Sequence, residues 1–345
     1  MRSTAHNIGL AIWRLKCFYE TFVQGSTFVL LLNFSAKNPP HRQAEKRWWQ
    51  LYKTQQLNKI YMTIIEDIKI KCPDNIELAA TLFVPQNLKG AVMIGPATGI
   101  KRKFYHSFAT FLADNNYGVI TFDNRGIGNS LIGNIKNSNA TLQSWGEKDM
   151  TSALNTLKEK FPSTKYHLIG HSAGGQLVGL MKNCKELSSM FNFASSSGSL
   201  YGMKYPYKFK ALFFLNIFIP LNNLLFGYTN TQWLGMGEPL PKMVAKQWQK
   251  WCNGQGYVKS DFGDSIKEHN YDDLKFPTFW LNSSDDDIAN DKNVADMISV
   301  FPNIKASIQT LNPLEYELND IGHMKFFSRG SEKLWTLAKD WLDKN

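Results

Sequence analysis

Cysteine is scarce in this 345-residue sequence, and its placement is uninformative: Cys17, Cys72, Cys184 and Cys252 lie far apart with no Cys-x-x-Cys pair. That excludes a zinc or redox centre built on such spacing, and a reducing compartment is the simpler expectation. No His/Asp/Glu cluster has metal-ligand spacing either. Gly126-x-Gly128 lacks the third glycine of a dinucleotide fingerprint, so neither a metal nor a cofactor is expected. Long apolar runs are missing as well. Residues 28–32 are too few to cross a bilayer, and residues 211–226, with Pro220 inside, suit a broken helix better than a span.

Basic charge is plentiful, but it is not spread over the chain. Of the net charge of +10, residues 1–61 supply seven, with nine Lys/Arg against Glu20 and Glu45. The remaining +3 on residues 62–345 is no footprint for nucleic acid. Within the first stretch Ile8, Ile12, Leu15, Tyr19 and Phe22 fall on one helical face. Three readings of residues 1–61 stand side by side: a targeting or membrane-contacting segment within residues 1–35, an amphipathic helix beside the domain, or a stretch upstream of a true start at Met62. A cytoplasmic location is expected, with membrane association or export as the alternative under the first reading.

With 43% apolar residues, a sizeable core is available, and from Thr63 onward strands alternate with helices. Residues 63–71 and 76–84 read as a hairpin about Pro73 and Asn75. Buried strands follow at 91–95 and 118–122 and further strands at 166–171, 190–194, 277–282 and 307–311, and helices are expected at 105–115, 143–161, 176–184, 291–301 and 335–342. Such alternation predicts an α/β fold with a mostly parallel sheet covered on both faces, and function at the carboxyl ends of its strands. Residues 199–270 interrupt the rhythm and read as an inserted cap.

The chemistry-bearing pattern is Gly170-His171-Ser172-Ala173-Gly174 between a strand and a helix-compatible run. A sharp turn there would raise Ser172 above the sheet as a nucleophile, with glycines where a Cβ would collide. His171 is read as a support of that turn, and Asp123 and Arg125 as anchors of their own loop. After Ser172 come Asp285-Asp286-Asp287 behind one strand and Gly322-His323 behind the next. Ser, Asp, His is the α/β-hydrolase order, different from those of chymotrypsin and subtilisin.

Residues 62–345 resemble the α/β-hydrolases, and more narrowly a family of poorly characterised bacterial ones. The resemblance rests on Pro96-Ala97-Thr98-Gly99, the run from Phe122 to Ser130 that contains Arg125-Gly126-Ile127-Gly128, the Ser172 pentapeptide, Gly237-Glu238-Pro239-Leu240-Pro241 with Trp248 and Trp251, and Gly322-His323-Met324. It implies a serine hydrolase of carboxylic esters or related acyl substrates, working through an acyl-enzyme, with Ser172 as nucleophile and His323 as base. It implies Asp286 as the acid, about nine residues past Pro277, with Asp285 next in line and Asp287 as a solvated turn residue. For the oxyanion hole it implies the amides of Ala173 and Ala97, with Thr98 as runner-up. The expected partner is a small acyl molecule with an apolar part. A thioesterase, an acyltransferase, a small-peptide hydrolase and a catalytically silent binding module are the alternatives.

Overall fold

The computed structural model describes residues 63–345. The helical face from Ile8 to Phe22, the apolar run 28–32 and the basic stretch 1–61 lie outside the described residues. In chain order the elements are β1 (Ile64–Lys71), β2 (Glu77–Val84), β3 (Gly90–Gly95), α1 (His106–Asp114), β4 (Tyr117–Phe122), α2 (Thr151–Lys160), β5 (Tyr166–His171), α3 (Ala173–Gln176) and β6 (Ser189–Phe193). There follow α4 (Tyr207–Phe213), α5 (Ile219–Leu225), β7 (Tyr228–Thr229), β8 (Leu240–Pro241), α6 (Lys242–Cys252), β9 (Pro277–Ser283), α7 (Asp291–Ile298), β10 (Lys305–Leu311) and α8 (Glu332–Lys344).

Eight strands form one sheet in the order β1-β2-β4-β3-β5-β6-β9-β10, antiparallel at β1/β2 and β2/β4 and parallel elsewhere. β3, β4 and β6 are buried along their whole length, and β3 and β4 accordingly read as mostly apolar runs, while β6 carries the buried polar residues Ser189 and Asn192. The strand order reverses at β3: β4 lies on one side of it and β5 on the other. Gly95 is therefore the register partner of Gly170, and the loops leaving β3 and β5 emerge side by side at a topological switch point. A two-stranded pairing of β7 with β8 belongs to the long insertion between β6 and β9.

Three local departures from sequence expectation have physical causes. The helix expected over 176–184 is a single turn, Ala173–Gln176, with a 3-10 turn at Val178–Leu180. The carbonyls a longer helix would use are taken from outside: Tyr271 Oη donates to Gln176 O (2.6 Å), Asn270 N to Gly179 O (2.7 Å) and Asn270 Nδ2 to Met181 O (3.0 Å). Ahead of α2, Trp145–Met150 is a π stretch. From it Trp145 Nε1 donates to Arg125 O (3.0 Å), and Asp149 accepts from Arg125 N (2.8 Å) and Nε (2.6 Å). The helix expected to break at Pro220 instead runs on from α4 through a π stretch, Phe214–Phe218, into α5. The Ile219 amide bonds to Phe214 O, five residues back. This wider turn relieves the clash that a proline ring makes with the preceding turn of a helix.

His167 of β5 is buried, with Nδ1 2.9 Å from Ser189 Oγ. Burial first, and then the charge of Lys165, pulls its pKa down to about 4. The unfolded chain therefore takes up this proton near pH 6.5 and the folded chain only near 4, so the stability linked to a neutral His167 is complete above pH 6.5 and is lost as pH falls toward 4. Urea denaturation between neutral pH and pH 5 should show stability falling by up to about 1.4 kcal/mol per pH unit from this group. A His167→Gln variant should give a shallower slope over that interval, and identical slopes would refute a buried neutral imidazole.

Candidate active site

Ser172 closes β5 with φ 48° and ψ −115°, a conformation that non-glycine residues rarely adopt. It is tied down by its own amide, which donates to Phe193 O of β6 (3.0 Å). The turn is tight because backbone packs on backbone: a Cβ on Gly174 would come within 1.9 Å of Gly95 O, and one on Gly170 within 2.5 Å of the Gly175 backbone. Held there, Ser172 Oγ lies 3.0 Å from His323 Nε2, and His323 Nδ1 lies 2.8 Å from Asp286 Oδ2. An ionised carboxylate only accepts, so Nδ1 carries the proton and Nε2 is left to accept from the serine hydroxyl.

The three neighbouring aspartates are in different situations. Asp286 is buried, and its Oδ1 accepts from the amides of Ile288 (2.8 Å) and Ala289 (2.9 Å). Burial pushes its pKa up, but the His323 ring and those amides more than offset this, so the carboxyl stays below its ordinary range. Asp285 turns to the histidine loop, accepting from Ile321 N (2.9 Å), Gly322 N (3.0 Å) and Ser283 Oγ. It fixes the backbone that carries His323. Asp287 is exposed.

A buried chain of hydrogen bonds lies behind this row. His171 Nε2 is 3.0 Å from His323 O, and a carbonyl can only accept, so Nε2 carries the proton. Nδ1 must then accept, which it does from Tyr105 Oη at 2.8 Å. Tyr105 Oη in turn accepts from Ala97 N at 2.9 Å. Burial, followed by the neighbouring His323, pulls the His171 pKa down to about 3, in keeping with a ring that has no acceptor to spare for a second proton. His171 thus holds the backbone of His323 from beneath the elbow. Tyr105 has no signal in the sequence, since nothing in a helix-start pattern marks a tyrosine as the link between two loops.

This network bears on the two candidate amides of the loop after β3. The Ala97 amide is already donated to Tyr105. Among the described residues, the amides of Thr98 and Ala173 donate to no protein acceptor. The insertion between β6 and β9 leans on the same loop: Glu238 N donates to Gly99 O (2.8 Å), and the Glu238 carboxylate pairs with Lys101 (2.7 Å). Asp123 accepts from Arg102 N (2.6 Å) and Nη1 (2.7 Å), anchoring the loop below. Elsewhere, a cleft of about 530 Å³ lined by Lys69, Cys72, Asn155 and Lys160 shares no residue with the site. Burial raises the Cys72 thiol there to about 11. No group of three or more potential metal ligands occurs among the described residues.

The family model described as serine aminopeptidase, S33, matches residues 86–214, from just before β3 into the insertion. No curated protein matches the sequence. Among solved structures, a soluble variant of monoglyceride lipase from Saccharomyces cerevisiae, in complex with a substrate analogue, is similar with a TM-score of 0.56 at 17% identity, covering 81% of this chain and 96% of that one. An esterase from Pyrococcus furiosus is similar with a TM-score of 0.53 at 15% identity over 82% and 91% of the two chains. An α/β-hydrolase from a Penicillium species gives 0.52 at 15% identity over 81% and 98%. At such identities the likeness speaks for the fold. Taken with the eight-stranded, mostly parallel sheet and the family match across β3 to β6, it shows that the chain has the α/β-hydrolase fold.

Proposed function

We propose that the protein is a serine hydrolase that cleaves carboxylic esters through an acyl-enzyme. The observation that carries this reading is the unbroken row from Ser172 Oγ through His323 to Asp286, at 3.0 and 2.8 Å, on a strained elbow. Ser172 Oγ attacks the acyl carbon and passes its proton to His323 Nε2. Asp286 stays ionised and stabilises the imidazolium. The amides of Ala173 and Thr98 donate to the oxygen that gains charge, and one such donor is worth about 3 kcal/mol in the transition state. Collapse of the tetrahedral species breaks the ester C–O bond, and the leaving alkoxide takes the proton from His323. A water then attacks the acyl-enzyme by the same steps in reverse roles, releasing acid and free serine.

Peptide hydrolysis is the second reading, favoured by the family model. An aminopeptidase needs a carboxylate to take the substrate's amine. Between Ala194 and Ser260 the chain has only Glu238, which is already paired with Lys101. That weighs toward esters. Turnover of p-nitrophenyl esters and thioesters of graded chain length, measured beside aminoacyl p-nitroanilides, separates the readings. Ester turnover should dominate, and faster anilide turnover would reverse the order.

A fluorophosphonate probe should label the wild type and leave Ser172→Ala unlabelled. Labelling of that variant would move the nucleophile elsewhere. The two aspartates should separate by kind of damage. Asp286→Asn should lose about 10⁴ in turnover with the fold intact. Asp285→Ala removes charge-assisted bonds to two amides and should lower stability by about 2 kcal/mol in urea, with a much smaller loss of turnover. An Asp286→Asn enzyme with near-normal turnover would dismiss Asp286 as the acid. Tyr105→Phe strands the Ala97 amide in a buried setting and should cost about 1–3 kcal/mol of stability, measurable by the same denaturation.

A further inference from the structure

The helical run of α4, the π stretch and α5 buries one side and leaves the other bare. Ala211, Phe214, Leu215 and Ile219 face the interior. On the outside Tyr205, Phe209, Phe213, Ile217, Leu221 and Leu225 recur at every fourth residue, each between 49% and 66% exposed. In an α-helix a four-residue step overshoots one turn by about 40°, so a row from Phe209 to Leu225 would drift about 160° around the axis. The extra residue of the π turn takes back about 100° of that. The row therefore stays on one face as a continuous apolar stripe, and Leu224 (80% exposed) and Trp233 (61%) extend it. Exposed apolar surface of this extent marks an interaction site.

The charge around the stripe indicates what covers it. Between Ala194 and Ser260 there are seven lysines and a single acidic residue, Glu238, which Lys101 neutralises. Among the described residues, Lys204, Lys208 and Lys210 at one end of the stripe and Lys242 and Lys246 on α6 form no ion pair with a carboxylate. A second copy of the chain would bring lysines against lysines. An anionic lipid surface satisfies both features: the apolar row enters the boundary of the acyl chains, aromatic rings sit at headgroup depth, and each lysine near the headgroups is attracted to their negative charge. Among the described residues no helix is long and apolar enough to cross a membrane, so the stripe lies along the surface rather than through it.

We infer that this face of the insertion docks on anionic membranes. The inference stands apart from the ester chemistry, because binding can be measured without any substrate. The test is flotation of the full chain with vesicles of phosphatidylcholine alone and of phosphatidylcholine mixed with phosphatidylserine. The protein should float with the mixed vesicles, weakly with the neutral ones, and less as salt is raised. A Phe213→Glu/Leu224→Glu double variant changes two exposed side chains and should keep the wild-type circular dichroism while losing vesicle binding. Lys204→Glu/Lys208→Glu/Lys210→Glu should lower the affinity for mixed vesicles more than tenfold and abolish the preference for them. Three results would overturn the inference: no binding to either vesicle, equal binding by the double variant, which would assign attachment to the basic residues 1–61, or a stable dimer that the double variant converts to monomer.

Discussion

The fold's chemistry depends on one backbone constraint, the close approach of Gly174 to Gly95. A side chain on Gly174 would collide with the Gly95 carbonyl, and only its absence lets the turn after β5 sit against the loop after β3. That contact follows from topology, because β3 and β5 are neighbours only where the strand order reverses. With the two loops pressed together, the turn that carries Ser172 sits directly against the loop that leaves β3. The left-handed backbone at Ser172 is the strain that accompanies this packing, and the bond from its amide to Phe193 O helps hold it.

Around the elbow, each group is oriented by a neighbour that can act in only one sense. Asp286 cannot donate, so His323 must donate from Nδ1 and accept at Nε2. The carbonyl of His323 cannot donate either, so His171 must point its N–H there. Asp285 pulls two amides of the same loop toward the end of β9. His323 is thus held at its ring and at its backbone by groups from two different strands, which under the proposed mechanism would limit the reorganisation required when charge develops.

What the sequence made legible follows from what a linear pattern can encode. The strands of the main sheet could be read in order from short β-favouring runs between turn signals, most plainly at β3 and β4, which are buried along their whole length, whereas the two-residue strands β7 and β8 were not read. The glycines around Ser172 are visible as a short motif, although the crowding that requires Gly174 comes from Gly95 on the neighbouring strand. Spacing alone left Asp285, Asp286 and Asp287 open, and resemblance singled out Asp286, whose carboxylate lies 2.8 Å from His323. The roles of Tyr105 and Asp285 were not legible, since each serves a loop distant in sequence. The short helix after the elbow was hidden for the same reason: its carbonyls are capped by Asn270 and Tyr271, about ninety residues away. Pro220 misled because a proline's effect on a helix depends on the turn it meets, and the π stretch before it is no property of the proline itself.

The chain from Ala97 through Tyr105 and His171 to the His323 carbonyl has a single polarity, donor to acceptor at every link. Each interior member must therefore both receive and give. At position 105 that requires a hydroxyl carried far from the backbone, which serine and threonine cannot provide and phenylalanine lacks. At position 171 it requires a ring or amide with an acceptor on one side and a donor on the other, which lysine and arginine cannot supply. A change at either position is tolerable only if the other changes in a matching sense, so these two residues, sixty-six apart in the chain, form one unit of substitution.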